Sequence, residues 1–185
     1  MPLSRKIAYI DLSSGSIEMK PIPISLIRKY VGGRGIAAYL IYNHTEPGID
    51  PLSPDNPFII SAGLIVGMIG SGTARVQVTT KSPLTGLLGS ANAGGFFGPE
   101  MRWAGFDHLV IKGKAKKPSY IYVEDGRIEI RDASHLWGKG VYETISMLKE
   151  ELGEDVQVMC IGPAGENLVR FATVMTGRKN AAGRT

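Results

Sequence analysis

The sequence predicts an α+β domain built from two pseudo-symmetric halves, at about residues 6–95 and 119–185. Two observations carry this. Each half contains two short alternating runs joined by turn residues, followed by an apolar 3.6-residue period and then two further apolar runs, so both read hairpin, helix, strand, strand. Each half also closes on a turn-rich segment of Asn and Ala: Ser90-Ala91-Asn92-Ala93-Gly94-Gly95 in the first, Asn180-Ala181-Ala182-Gly183-Arg184 in the second. If the halves are equivalent, these two segments meet at one site.

Residues 6–20 read as a hairpin, with Ile7, Tyr9 and Asp11 alternating, Ser13-Ser14-Gly15 turning, and Ile17 and Met19 returning. A helical segment over about 25–44 follows, broken or bent at Gly32-Gly33, with Leu26, Ile27, Tyr30, Ile36, Ala37, Leu40 and Ile41 in helical period. Pro51, Pro54 and Pro57 stiffen a connection to strands over 58–62 and 75–80. In the second half, residues 120–123 and 127–130 flank Asp125-Gly126, a strong hairpin signal. A helix over about 140–152 places Val141, Ile145, Leu148 and Leu152 on one face, with Gly153 just past its end. Strands over 156–161 and 168–174 complete the repeat.

Length and composition bound the function class. A chain of 185 residues makes one domain, or two small halves sharing a core. Hydrophobic content of 43% and charged content of 21% suit a globular protein. No apolar run approaches the ~20 residues that span a bilayer, and the N-terminus lacks a signal-peptide core, which predicts a cytoplasmic protein without membrane contact. The single cysteine, Cys160, excludes an internal disulfide and any multi-cysteine metal site. A net charge of +4 suits a small anionic ligand, and no Lys/Arg block interleaved with aromatics points to nucleic acid.

The most informative stretch is 74–107. A β-like run at Val76 and Val78 leads into a loop rich in Gly, Ser, Ala and Asn, which meets Phe96 and Phe97. So many glycines cost backbone entropy, and such a loop serves where backbone must approach a ligand closely, with N–H groups aimed at phosphate as the commonest case. Arg75, Lys81 and Arg102 flank it with positive charge. Gly32-Gly33-Arg34-Gly35 reads better as a helix break than as a phosphate loop, and no P-loop occurs. His44, His108 and His135 are scattered without metal-ligand spacing. Cys160 reads as a small core residue, Trp103 and Trp137 as core or interface anchors, and residues 162–167 as a turn. No side chain stands out as catalytic.

The runs TKSPLTG, ANAGGFFGPE, AGFDHLVIKGKAKKP, IEIRDASHLWGK and IGPAGENLVRFA resemble the N-terminal domain of the tungsten-containing aldehyde ferredoxin oxidoreductase family, as do the opening RKIAYIDLSSGSIE and VGGRGIAAYLIY. The resemblance covers essentially the whole chain. It implies two packed, mainly antiparallel sheets with a few helices, related by a pseudo-two-fold axis. It implies a base for a bis-pterin tungsten or molybdenum cofactor with a bridging magnesium ion. By position, Arg75 matches a pterin contact, and Gly94, Gly95, Gly183 and Arg184 match cofactor-lining positions. Asn92 matches the side chain that helps hold the magnesium, and Ala181 offers its backbone carbonyl to the same ion. Hard oxygen ligands suit Mg²⁺, and glycine amides with an arginine fork suit phosphate groups.

The family has Arg just before AAGR, whereas this chain has Asn180, which bears on one phosphate contact. It also continues into helical domains carrying a [4Fe–4S] cluster, the rest of the pterin pocket and the substrate cavity, so this chain is expected to be a single cofactor-binding domain of 1–185, inactive alone. The expected partners are the missing domains, or a partner chain that supplies them, and ferredoxin. The rival expectation, from a different class, is a non-catalytic binding or assembly module that keeps the fold.

Overall fold

The computed structural model describes residues 5–183. The chain enters as the hairpin β1 (Lys6–Asp11) and β2 (Ser16–Pro21), paired from Lys6↔Pro21 to Asp11↔Ser16. Asp11 closes the turn by accepting from the amides of Ser13 at 2.8 Å and Ser14 at 3.2 Å, and these bonds hold its carboxyl below the usual carboxylate range. Helices α1 (Ile24–Tyr30) and α2 (Gly33–His44) follow, divided where predicted. The break needs glycine: a Cβ on Gly35 would lie 2.2 Å from the Tyr30 carbonyl oxygen, and Gly33 (φ +48) rests on the backbone of Gly63.

Next come β3 (Phe58–Ala62), β4 (Val76–Lys81), β5 (Leu88–Ala93), α3 (Phe97–Trp103) and β6 (His108–Lys112). They complete a six-stranded sheet in the order β2-β1-β6-β3-β4-β5, antiparallel except where β6 runs parallel to β1. Two features depart from expectation. Residues 88–93 form a strand, not a loop. Its core face is Gly89, Ala91 and Ala93, so a composition that reads as a turn is a sheet face made of small residues. The central strand β6 has no place in the predicted element order, and its polar ends His108 and Lys112 conceal a buried middle.

The second half holds β7 (Ser119–Glu124), β8 (Arg127–Asp132), α4 (Val141–Leu152), β9 (Met159–Cys160), α5 (Pro163–Glu166), β10 (Val174–Thr176) and β11 (Asn180–Ala182). Asp125 (φ +41) and Gly126 (φ +80) make the two-residue turn as predicted. Helix α4 ends at Gly153 (φ +111), whose N–H donates to the Lys149 carbonyl at 2.9 Å. The strand expected over 156–161 is reduced to Met159–Cys160, only Val174 of the one expected over 168–174 lies in a strand, and the segment expected as turn-rich at 180–182 is strand β11. Residues 163–166 are one helical turn, and the Val169 amide donates to the Ala164 carbonyl at 3.0 Å, so the chain is committed to local turns until Val174. Among the described residues this half forms two separate sheets, β7-β8 and β11-β10-β9.

Register exposes the repeat. The Ile22 amide donates to Arg5 at 2.9 Å and the Ala133 amide to Pro118 at 2.8 Å, marking the same end of the two hairpins. Val76 pairs with Ala93 as Val174 pairs with Ala182. A shared core lies between the layers: Ala8, Ile10, Ile60, Val78, Ala93 and Leu109 from the six-stranded sheet meet Ile128 and Ala182 from the second half. A second cluster sits under α2, from Ile36, Ala37, Leu40, Ile41, Ile59 and Val110, and a third under α4, from Ala133, Leu136, Ile145, Leu148 and Val158.

Candidate functional site

The register equivalence makes Asn92 of β5 and Ala181 of β11 matching residues, each one step before a buried alanine and each exposed. Because Ala93 and Ala182 enter one core, the two closing strands lie beside each other. The link is direct. Thr176 Oγ1 donates to the Gly94 carbonyl at 2.8 Å, and the Asn180 carboxamide rests on the turn after β5. A Cβ on Gly94 would lie 3.1 Å from Asn180 Oδ1, and one on Gly95 (φ +90) 3.2 Å from Asn180 Nδ2. Arg75, just before β4, donates from Nη1 to Asn92 Oδ1, and both side chains are exposed. Gly183 is exposed and lies tight against Thr173, where a Cβ would be 2.2 Å from Thr173 Cγ2. Arg184 lies outside the described residues.

Thus Arg75 and Asn92 form one pair, and Gly94, Gly95, Asn180 and Thr176 form a junction between the halves. The donor set is a guanidinium, a carboxamide oxygen, backbone carbonyls and glycine amides. It suits phosphate oxygens and a hard cation, and it offers no group that titrates near neutrality. The residues present therefore fit a magnesium–phosphate group, although they hold no acid or base for proton transfer.

The junction roles of Thr176 and Asn180 were not visible in the sequence. Both contacts cross about eighty residues, and no local pattern announces them. The other flanking cations serve the scaffold. Lys81 Nζ donates to the Ile49 carbonyl at 2.5 Å. Arg102 donates to the Leu64 and Val66 carbonyls at 2.7 and 2.6 Å, and its Nε lies 3.0 Å from Asp107 Oδ1. Arg5 Nε lies 3.0 Å from the other Asp107 oxygen, and burial pushes this carboxyl up against the pull of the two guanidinium groups. His108, fully buried, has Nδ1 2.8 Å from Ser61 Oγ, and burial lowers its pKa to about 3. His135 Nε2 pairs with Glu151 at 3.1 Å. Burial raises the Cys160 thiol to about 11, which makes it a poor nucleophile. Among the described residues no cluster of His, Cys, Asp and Glu could hold a metal, and no helix is long and apolar enough to cross a membrane.

The family model for the N-terminal domain of aldehyde ferredoxin oxidoreductase matches residues 7–185. The chain belongs to the aldehyde ferredoxin oxidoreductase family. Its sequence is 49% identical over 176 residues to a tungsten-containing aldehyde ferredoxin oxidoreductase of Pyrococcus furiosus, covering 95% of this chain and 29% of that protein. It is 31% identical to an aliphatic sulfonate oxidoreductase, WOR-like subunit, of the same organism, covering 96% and 31%. Among solved structures, the active-site complex BamBC of benzoyl coenzyme A reductase with 1,5-dienoyl-CoA matches at a TM-score of 0.93 and 40% identity, over 97% of this chain and 27% of that one. The aldehyde ferredoxin oxidoreductase relatives and this neighbour are thus more than three times as long as the part that this chain matches.

Proposed function

We propose that residues 1–185 are one domain that seats a bis-pterin tungsten or molybdenum cofactor for oxidation of an aldehyde to a carboxylate, with electrons leaving to ferredoxin in the cytoplasm. The observation that carries this is the junction of the two closing strands, in which Asn92 and Ala181 are matching exposed residues and Arg75 is hydrogen-bonded to Asn92. Arg75 holds the Asn92 carboxamide and presents its remaining guanidinium donors to a phosphate or pterin edge. Asn92 Oδ1 and the Ala181 carbonyl would offer hard oxygen ligands to a magnesium ion bound with the cofactor's phosphates. Gly94, Gly95, Gly183 and Arg184 line the cofactor, and the lack of side chains at the glycines lets backbone N–H groups approach anionic oxygens. When bound, the cofactor supplies the redox chemistry, and this domain binds and orients it. The [4Fe–4S] cluster, the substrate cavity and the ferredoxin contact belong to the additional polypeptide of the longer relatives, or to a partner chain that replaces it.

The test is Asn92→Ala in the longer protein, with bound pterin, tungsten or molybdenum, and magnesium measured after dialysis. Loss of one charge-assisted oxygen ligand costs on the order of a kcal/mol, so pterin and magnesium should fall together by about fivefold. Unchanged stoichiometry and retention would overturn the assignment of Asn92, whereas a stable protein that carries no pterin or metal would favour the non-catalytic module. The 185-residue chain alone should reduce no dye with aldehyde, and activity from it would contradict the division of labour.

A further inference from the structure

We infer that Arg102 and Asp107 are positioning residues for the candidate site: they hold the loop of residues 63–74 so that Arg75 reaches Asn92. The inference rests on the cofactor role proposed for that pair. Ala62 of β3, Val76 of β4 and Ala93 of β5 stand in one row of the sheet. The loop between β3 and β4 therefore leaves the sheet at the same end as the Gly94-Gly95 turn, and Arg75 is its exit.

Burial does little to hold this loop. Of residues 63–74 only Val66 is buried, while Ile65, Met68 and Ile69 are exposed. Hydrogen bonds from α3 take its place. Arg102 Nη1 donates to the Leu64 and Val66 carbonyls, and Trp103 Nε1 donates to the Gly67 carbonyl at 3.1 Å. Gly67 (φ +73) has no room for a side chain, since a Cβ there would lie 3.0 Å from Trp103 Nε1. Its amide donates to the Thr73 carbonyl at 2.9 Å and closes the loop two residues before Arg75. Thr73 Oγ1 lies 2.9 Å from both the Met68 and Gly70 carbonyl oxygens, which ties down the tip. Val66 and Val76 meet over Gly98 of α3, where a Cβ would lie 3.4 Å from Val66 Cγ1 and 3.3 Å from Val76 Cβ. Helix α3 thus grips the loop at its entry and again where it becomes β4.

The charges behind this grip supply direction. The side chains of Arg5, Arg102 and Asp107 are 12%, 14% and 3% exposed. A buried ion triad adds little net stability, because the cost of desolvating its charges offsets their attraction. With Nε on Asp107, the planar guanidinium of Arg102 is fixed in orientation and aims Nη1 at the two loop carbonyls. Lysine would keep the charge, but its single rotatable ammonium cannot serve the carboxylate and both carbonyls in that geometry.

The experiment compares wild type with Arg102→Lys and with Trp103→Phe, which removes one donor and leaves the buried charges alone should Arg102→Lys fail to fold. In the 185-residue chain, amide exchange of Gly67 is read against that of β3, and the side-chain amide resonance of Asn92 reports its bond to Arg75. Arg102→Lys should speed Gly67 exchange about tenfold, as the loss of one charge-assisted hydrogen bond implies, and leave β3 unchanged. It should also move the Asn92 resonance toward its position in Arg75→Ala. Trp103→Phe should do the same by less. In the longer protein, either substitution should lower the pterin and magnesium retained after dialysis by no more than Arg75→Ala does. That loss should vanish when residue 75 is already alanine, because nothing is then left to position. Unchanged Gly67 exchange or an unmoved Asn92 resonance overturns the inference. So does exchange that speeds equally in β3, which would make the triad a stabiliser of the whole sheet, and so do retention losses that add in full to that of Arg75→Ala. A wild-type longer protein without pterin overturns the functional reading instead, and the two measurements on the 185-residue chain then decide the positioning.

Discussion

Strand β1 buries Ile7, Ala8 and Ile10, while β7, built on the same hairpin plan, buries none of its six residues. Strand β3 runs five residues and is nearly all buried, while its counterpart β9 runs two and is half-buried. The helices beneath them are alike in length, twelve residues each. Among the described residues the difference is one strand: β6 lies between β1 and β3, and none lies between β7 and β9. Hairpins and helices form from local signals, whereas the length and burial of a sheet's inner strands depend on what pairs at their open edges. The first half contains its own central strand within 112 residues, and the second half contains both flanks of a slot.

The matched residues Ile10 and Val123 offer the strongest way to break the comparison. Ile10→Ala removes a fully buried side chain and should cost about 2–5 kcal/mol, the usual range for such a cavity. Val123→Ala, at the half-buried equivalent, should cost about 1 kcal/mol from lost transfer alone. Urea unfolding of both variants checks this, and equal costs would mean that the two hairpins are equally packed.

A smaller effect follows from titration. The first half buries His108 against Ser61, and the position matching Ser61 is Cys160, so no such pair exists in the second half. Burial brings the folded pKa of His108 to about 3, below the unfolded 6.5. The unfolded chain therefore takes the proton first as pH falls. The stability this residue contributes is complete above about 6.5 and is lost progressively toward 3, with a slope near 1.4 kcal/mol per pH unit, or about 2 kcal/mol by pH 5. His108→Asn should flatten that slope in a pH series of unfolding midpoints.

The junction gives the smallest effect. Gly95→Ala meets both a left-handed φ and the Asn180 carboxamide, and it should destabilise by about 1 kcal/mol or slightly more. Gly86→Ala, at φ +69 with nothing within 4 Å, carries only the backbone strain. The gap between the two melting temperatures measures how firmly the halves are joined.

The legible parts of the fold were those with local causes. Asp125-Gly126 announced a turn, and the 3.6-residue period of Ile36, Ala37, Leu40 and Ile41 announced α2. Strand β5 was hidden because Gly89, Ala91 and Ala93 are chosen for close packing, not for strand propensity. Strand β6 escaped because its parallel pairing with β1 links residues about a hundred apart, beyond any local pattern. At the site, the Asn92 and Ala181 segments were visible as matching composition at the ends of matching halves. Asn180 and Thr176 were not, since a junction is a tertiary fact.

The position of β6 in the chain also sets a timetable for synthesis. Once Lys112 has left the ribosome, the six-stranded sheet has all of its strands and can close. Translation at about 5–20 residues per second then leaves several seconds before β11 arrives. The second half is thus synthesised when every strand of the sheet it packs on is already available, and its hairpin and closing strand cover the apolar face of that sheet as each appears.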